Sequence, residues 1–334
     1  LPETSDSDAT PAREPTRAAA AGRIRLLVSA CLLGDHVRFD GQHKYDAFLV
    51  EVLGRFVDWE RVCPEADAGM PIPRPSMHLV TDGKHLHLVS RTGADLTAQM
   101  RSFIDGRLAG LADVELCGYV CKKDSPSSGM ARVKVYDQHG QAERAGAGLF
   151  TAAFMERFPL IPVEEEGRLH DTTLRESFIE RVFCRRRWLD MVAGGRRAGR
   201  LVEFHADHKY LLLSHGRAVY TALGRLVASA GKQDSAKMFA DYEKGFMAAV
   251  ARPATTRTIT DVLQHMVGFF KQQLTGDEKA ELLETIDAYH RQLVPLIVPL
   301  TLIKHHVRKY QVTYLARQVF LNPYPAELML RNHV

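Results

Sequence analysis

Residues 23–30, RIRLLVSA, form a short, nearly unbroken apolar run, the signature of a buried strand. A turn-rich loop, CLLGDHVRFDG, follows, and residues 45–56 then space their apolar positions as a helix does. FVDWERV at 56–62 reads as a second strand ending at Cys63-Pro64-Glu65. The three prolines of the next stretch, GMPIPRPS, hold it extended. HLHLVS at 85–90 alternates as a strand, 95–111 is spaced as a helix, and VELCGYVC at 114–121 reads as another strand. A loop, KKDSPSSG, leads to a strand at 133–136, a helix LFTAAFMERF, and a last strand LIPVEEEG. Alternating strands and helices predict an α/β fold, a mostly parallel Rossmann-like sheet with helices on both faces. Such sheets bind ligands beyond the carboxyl ends of their strands.

From about 171 the period changes to that of helices alone: 172–193, 200–230, 234–251, 258–273, 276–293 and 298–318. The chain therefore divides into a tail over 1–22, an α/β domain over 23–170 and an all-α C-terminal domain over 171–334. The tail is rich in Ala, Pro, Thr, Ser and charge, lacks aromatics, and is expected to be disordered. No internal repeat is visible.

Charge sharpens this division. Residues 1–180 carry 21 Lys and Arg against 27 Asp and Glu, whereas 181–334 carry 23 against 13. A basic helical half beside an acidic α/β half suggests that the helical half meets a polyanion. Two concentrations stand out in sequence: Arg181, Arg185, Arg186, Arg187, Arg196, Arg197 and Arg200, then Lys304, His305, His306, Arg308 and Lys309. No apolar run approaches the ~18 residues of a membrane span, and no apolar leader opens the chain. A membrane partner is not expected, a cytoplasmic location is, and the assembly is expected to be a monomer or homodimer. Five cysteines, at 31, 63, 117, 121 and 184, form no disulfide framework in such a protein, which leaves metal or cluster ligation open. His205, His208 and His215 lack a carboxylate or thiol to complete a metal site and are expected to be buried and hydrogen-bonded.

Three cysteines fall at strand ends: Cys31 after the first run, Cys63 after the second, Cys121 closing a third. In a parallel sheet they would meet at one rim. Their separation in sequence is too long for a zinc ribbon or a local ferredoxin motif. Three thiolates hold three irons of a 4Fe–4S cluster and leave the fourth open as a Lewis acid. The Cys117 side chain is expected on the same face as Cys121, deeper in the strand.

At these residues the chain resembles the thiouracil desulfidase (TudS) family. SACLLG (29–34), VRFDG (37–41), CPE (63–65), PRP (73–75), KKDSPSSG (122–129) and IPVEEEG (161–167) carry the resemblance. The helical part, with FHADHKYLLLSH (204–215) and FLNPYP (320–325), is similar to a domain often fused to it, as in bacterial tRNA 4-thiouridine desulfidases of the RudS type. The resemblance implies a 4Fe–4S cluster held by three cysteines. Cys31 and Cys63 carry over directly. The third belongs to an SPSCG loop that here reads Ser125-Pro126-Ser127-Ser128-Gly129, so Ser128 stands where the cysteine is expected. Cys121 is the favoured replacement; the alternatives are Cys117, or no replacement and a cluster-poor protein.

The implied reaction is hydrolytic, non-redox removal of sulfur from 4-thiouridine in tRNA, released as hydrosulfide. Glu65, two residues from Cys63, is the candidate proton carrier, with Asp40 a weaker one; the competing role for Glu65 is to cap a helix or to pair with Arg74 at the rim. Ser125 and Ser127 are candidates to hold the base or the attacking water. Lys122, Lys123 and Arg74 offer positive charge at the same rim. Desulfidation of free 2-thiouracil or 4-thiouracil is the first alternative, and a non-catalytic RNA-binding or cluster-carrying protein the second.

Overall fold

The computed structural model describes residues 23–229 and 235–333, so the tail expected over 1–22 lies outside the described residues. Strand β1 (Ile24–Ser29) is the apolar run itself, and β2 (Val57–Val62) pairs with it in parallel. A four-residue helix α1 (Pro64–Asp67) follows. Strands β3 (Met77–Thr81) and β4 (Leu86–Ser90) form a hairpin, and helix α2 (Thr97–Leu111) leads to β5 (Leu116–Cys121). Strands β6 (Val133–Tyr136) and β7 (Ala142–Gly146), helix α3 (Leu149–Arg157) and β8 (Val163–Glu165) complete the α/β part.

The strands divide into two sheets. One is wholly parallel, ordered β2-β1-β5-β8; the other is mixed, ordered β4-β3-β6-β7. The second sheet, with β3 and β7, is not evident in the sequence, where short half-buried strands leave little periodicity. Residues 45–56, expected as a helix, instead form a π turn over Phe48–Val52 and a 3-10 turn over Leu53–Arg55.

Helices cover both faces of the parallel sheet. Leu27 and Tyr119 pack with Met100 and Ile104 of α2 and Phe150 and Phe154 of α3. Leu26 and Val28 pack on the other side with Phe178, Ile179 and Val182. Those three belong to α4 (Thr172–Ala193), the first helix of the all-α part. Gly118 of β5 permits the contact: a Cβ there would lie 2.9 Å from Val182 and 3.1 Å from Leu26. Further along, Cys184, Trp188 and Met191 of α4 enter the helical core.

The helical part continues with α5 (Ala198–Asp207), α6 (Lys209–His215), α7 (Arg217–Ala228), α8 (Ser235–Val250), α9 (Thr256–Val267), α10 (Gly276–His290), α11 (Ile297–Lys309) and α12 (Thr313–Ala316). The stretch expected as one helix over 200–230 breaks at His208 and at Gly216, whose φ of +143° no helix accommodates. α9 and α10 begin with capping boxes at Thr255 and Thr275. No helix among the described residues is long and apolar enough to cross a membrane.

Candidate active site

The direction of chain progression reverses between β1 and β5, and the crevice beyond their carboxyl ends is the natural ligand site of such a sheet. A cavity of about 360 Å³ lies there, lined among others by Cys31, Cys63, Glu65, Arg74, Lys122, Ser125 and Ser128. Cys31 sits in a 3-10 turn, Ala30–Leu33, that caps β1, and its carbonyl accepts the amide of Lys44 at 2.8 Å. Cys63 caps α1, where Pro64 occupies the first helical position and loses no hydrogen bond. Its amide donates to Asp67 Oδ2 at 3.0 Å. Burial pushes the Cys31 thiol up to about 11 despite Lys122 nearby, and burial with the Glu65 carboxylate pushes Cys63 to about 12.

Glu65 is the hub of the cavity. Ser127 Oγ donates to its Oε1 at 2.6 Å, and Ser125 Oγ lies 3.5 Å from the same oxygen. Arg74 donates to its Oε2 at 3.2 Å, and Cys63 Sγ lies 3.5 Å from it. The Arg74 side chain is 4% exposed and that of Glu65 14%, so the expected ion pair is a desolvated one. Glu65 thus lines the cavity and makes the pair with Arg74 that was expected as its competing role. Arg74 also donates to the Val37 carbonyl at 3.0 Å, while its buried Nε has no partner among the described residues.

The serine loop is built by the helix behind it. Ser125 Oγ accepts the amides of Ser127 and Ser128 at 3.3 and 3.1 Å, and the hydroxyls of Ser127 and Ser128 lie 3.2 Å apart. The carbonyls of Pro126 and Ser127 receive the free amides of Leu149 and Phe150 at the start of α3. Gly148 lets the loop approach, since a Cβ there would lie 2.4 Å from the Ser127 backbone.

Cys121 does not join Cys31 and Cys63. It is fully buried on the α2–α3 side of the sheet, absent from the cavity wall, and its Sγ turns to the Glu164 carbonyl at 3.5 Å. Cys117 does not replace it and is not on its face. The register steps from Arg25–Leu116 to Leu26–Gly118, one residue of β1 against two of β5, and this bulge sends Cys117 into the core on the α4 side. The third polar side chain on the cavity wall at the position in question is Ser128, 3% exposed. Among the described residues no group of three His, Cys, Asp or Glu converges as a metal site.

Other candidates take structural places. Asp40 closes a surface turn, accepting the Gln42 amide and facing Arg38, away from the cavity wall. Lys122 pairs with Glu166. Arg181, Arg185, Arg186 and Arg187 face inward: toward Glu164, Glu243, the Glu115–Asp190 pair, and the carbonyls of Asn322 and Pro323. They tie α4 to its neighbours. Arg196 and Arg197 remain outward, and in the second concentration His305 and Arg308. His205, His208 and His215 are separately engaged, by Tyr242, by the Phe204 carbonyl and by Glu180. The pairing of Arg74 with Glu65 was among the expectations from sequence, whereas the capping of α3 by the serine-loop carbonyls was not.

Comparison with known proteins gives two families. Residues 26–166 match the 2-thiouracil desulfurase family, and residues 209–325 match DUF1722, a protein family of unknown function. The chain is 28% identical over 158 residues to the uncharacterized protein YbgA of Escherichia coli (strain K12), covering 47% of this chain and 94% of that one. It is also similar to a solved [4Fe-4S]-dependent thiouracil desulfidase, TudS, at 32% identity over 46% of this chain and 98% of that one, with a TM-score of 0.38.

Proposed function

From a chain whose residues 26–166 form a 2-thiouracil desulfurase domain joined to a DUF1722 helical domain, we propose a desulfidase whose substrate is 4-thiouridine in tRNA. The observation that carries this reading is the single cavity in which two buried thiols face a carboxylate relayed through serine hydroxyls. Its volume suits a pyrimidine ring. The net reaction adds water across a carbon–sulfur double bond: one carbon–oxygen bond forms, the carbon–sulfur bond breaks, and sulfur leaves as hydrosulfide with no electron gained or lost.

The residues present fit a 4Fe–4S cluster with a mixed donor set. Cys31 and Cys63 would provide two thiolates, and Ser128 Oγ would be the oxygen donor in the third place. When bound, the cluster supplies a thiophilic Lewis acid that polarises the thiocarbonyl. The protein supplies the proton path. Ser125 and Ser127 lie 3.1 Å apart, with Ser127 on Glu65, so a water held at Ser125 passes a proton by way of the hydroxyls to Glu65 as it adds to the ring carbon. Arg74 keeps Glu65 oriented between turnovers. Lys123, exposed at the rim, is placed to meet a phosphate.

The test uses the full chain, reconstituted anaerobically with iron and sulfide. The expected outcome is loss of near-ultraviolet 4-thiouridine absorbance from thiolated tRNA with one hydrosulfide per base, faster than from free 4-thiouracil at equal concentration. Equal rates on the free base reassign the substrate to thiouracil. Cluster binding with no turnover of either substrate rules out the enzymatic reading.

A further inference from the structure

The arginines of α4 are spent inside the molecule, so the tRNA contact proposed above falls elsewhere on the helical part. One surface has the required chemistry. Phe269, in the turn after α9, and Tyr314, on α12, stack with ring centroids 5.4 Å apart and planes 14° apart. Both remain about a third exposed, at 36% and 37%. Beneath them Tyr210, at the start of α6, is fully buried and meets both edge-on, at 6.4 Å and 6.5 Å. Its hydroxyl has no partner among the described residues. His265 approaches the same ring at 5.7 Å.

Cations surround the stack. Lys209 Nζ lies 5.2 Å over the Tyr210 ring. Arg217 is exposed at the first residue of α7, and its charge with that of Lys209 depresses the His265 pKa after burial does. Lys271 is exposed two residues beyond Phe269. Asp207 lies close enough to Tyr314 to act on it and is engaged by Arg317 at 3.1 Å, and Asp261 lies one turn before His265. A part-exposed stacked aromatic pair with lysine and arginine near it suits a base and its phosphates.

We propose that Phe269 and Tyr314 form a stacking platform for an unpaired base of RNA, with Lys209, Arg217 and Lys271 holding the adjoining phosphates. This rests on the tRNA reading above and assigns to it a docking surface on the helical part.

The experiment measures binding of fluorescently labelled, unmodified tRNA to the full chain by anisotropy across a salt series. Unmodified tRNA is used so that turnover plays no part. Phe269→Ala with Tyr314→Ala is expected to weaken binding about tenfold or more with the salt slope unchanged. Tyr314→Phe retains the affinity. Lys209→Gln with Arg217→Gln is expected to flatten the slope by roughly one to two. A blunt RNA duplex, offering no unpaired base, is expected to show no aromatic penalty. Circular dichroism and melting check that each variant is folded, and Phe269→Leu is the fallback if the double variant is not. Wild-type affinity in the folded double variant overturns the platform while leaving the tRNA reading intact. So does an unchanged tRNA affinity accompanied by a changed sedimentation mass, which makes the patch a protein contact. Failure of the wild-type chain itself to bind tRNA overturns both.

Discussion

Ser128, not Cys121, faces the cavity with Cys31 and Cys63, because the Cys121 side chain is packed into the core on the α2–α3 side of the sheet. Cys121→Ala is therefore expected to retain the iron content and turnover of the wild type and to lower only stability, by about 1–2 kcal/mol for a small buried side chain. Ser128→Ala is expected to lower iron per chain, and Ser128→Cys to restore it and resist oxygen, since a thiolate is the better iron ligand; iron and sulfide assays on the three variants decide this. Glu65 carries two separable loads. Glu65→Gln is expected to slow turnover by about 10²–10⁴ and to destabilise by about 3 kcal/mol, because buried Arg74 loses its countercharge. Adding Arg74→Gln is expected to recover much of the melting temperature and none of the rate, which chemical unfolding and single-turnover kinetics resolve. Cys31, Cys63, Glu65 and the serine loop were legible in sequence because each follows a strand end. The Cys121 assignment failed because a place at a strand end does not say which face of the sheet the side chain takes, and here it takes the core.

Helix α4 shows the corresponding limit at the scale of elements. Its sequence reads as a basic helix, yet Arg186 bridges Asp190 at 2.6 Å and Glu115 at 3.0 Å, with a side chain 8% exposed. Charge counts locate arginines but not their partners, which here sit on β5's approach loop, on α8 and in the C-terminal segment. The same helix gives Phe178, Ile179 and Val182 to the sheet and Trp188 to the bundle, so the change of period at 171 marks a change of secondary structure rather than of packing. Arg186→Ala is expected to cost about 2 kcal/mol of stability while leaving the tRNA dissociation constant and its salt slope unchanged. A flattened slope in that variant would add α4 to the proposed RNA surface. Helix breaks were legible only where chemistry enforces them, as at Gly216; the mixed second sheet, built from strands of four and five residues, was not.

At the scale of the whole molecule, a buried charge network ties α4, which packs on the sheet, to α6 and the C-terminal segment. His215 Nε2 lies 2.8 Å from Glu180 Oε1, and its Nδ1 lies 2.5 Å from the Arg252 carbonyl. Arg331 reaches Glu176 at 3.3 Å and Glu180 at 3.8 Å. Burial alone would lower the His215 pKa, but the Glu180 carboxylate outweighs it and holds the ring above its ordinary 6.5. Burial would likewise raise Glu180, and His215 with Arg331 outweighs it and holds the carboxyl below 4.5. The stabilisation from His215 is then complete below 6.5 and is lost as pH rises through the folded value; that from Glu180 is complete above 4.5 and is lost as pH falls through its own. His208 works the opposite way. Burial and Arg187 depress it to about 3, so its contribution is complete above 6.5 and wanes as pH falls. A single melting curve mixes these signs, but His208 is common to the wild type and to His215→Gln and cancels in their difference. The melting-temperature gap between those two proteins is therefore expected to be widest near about pH 5.5 and to shrink by about pH 8.5. A gap independent of pH would mean that His215 bonds Glu180 as a neutral ring, and that the network holds the C-terminal segment through Arg331 alone.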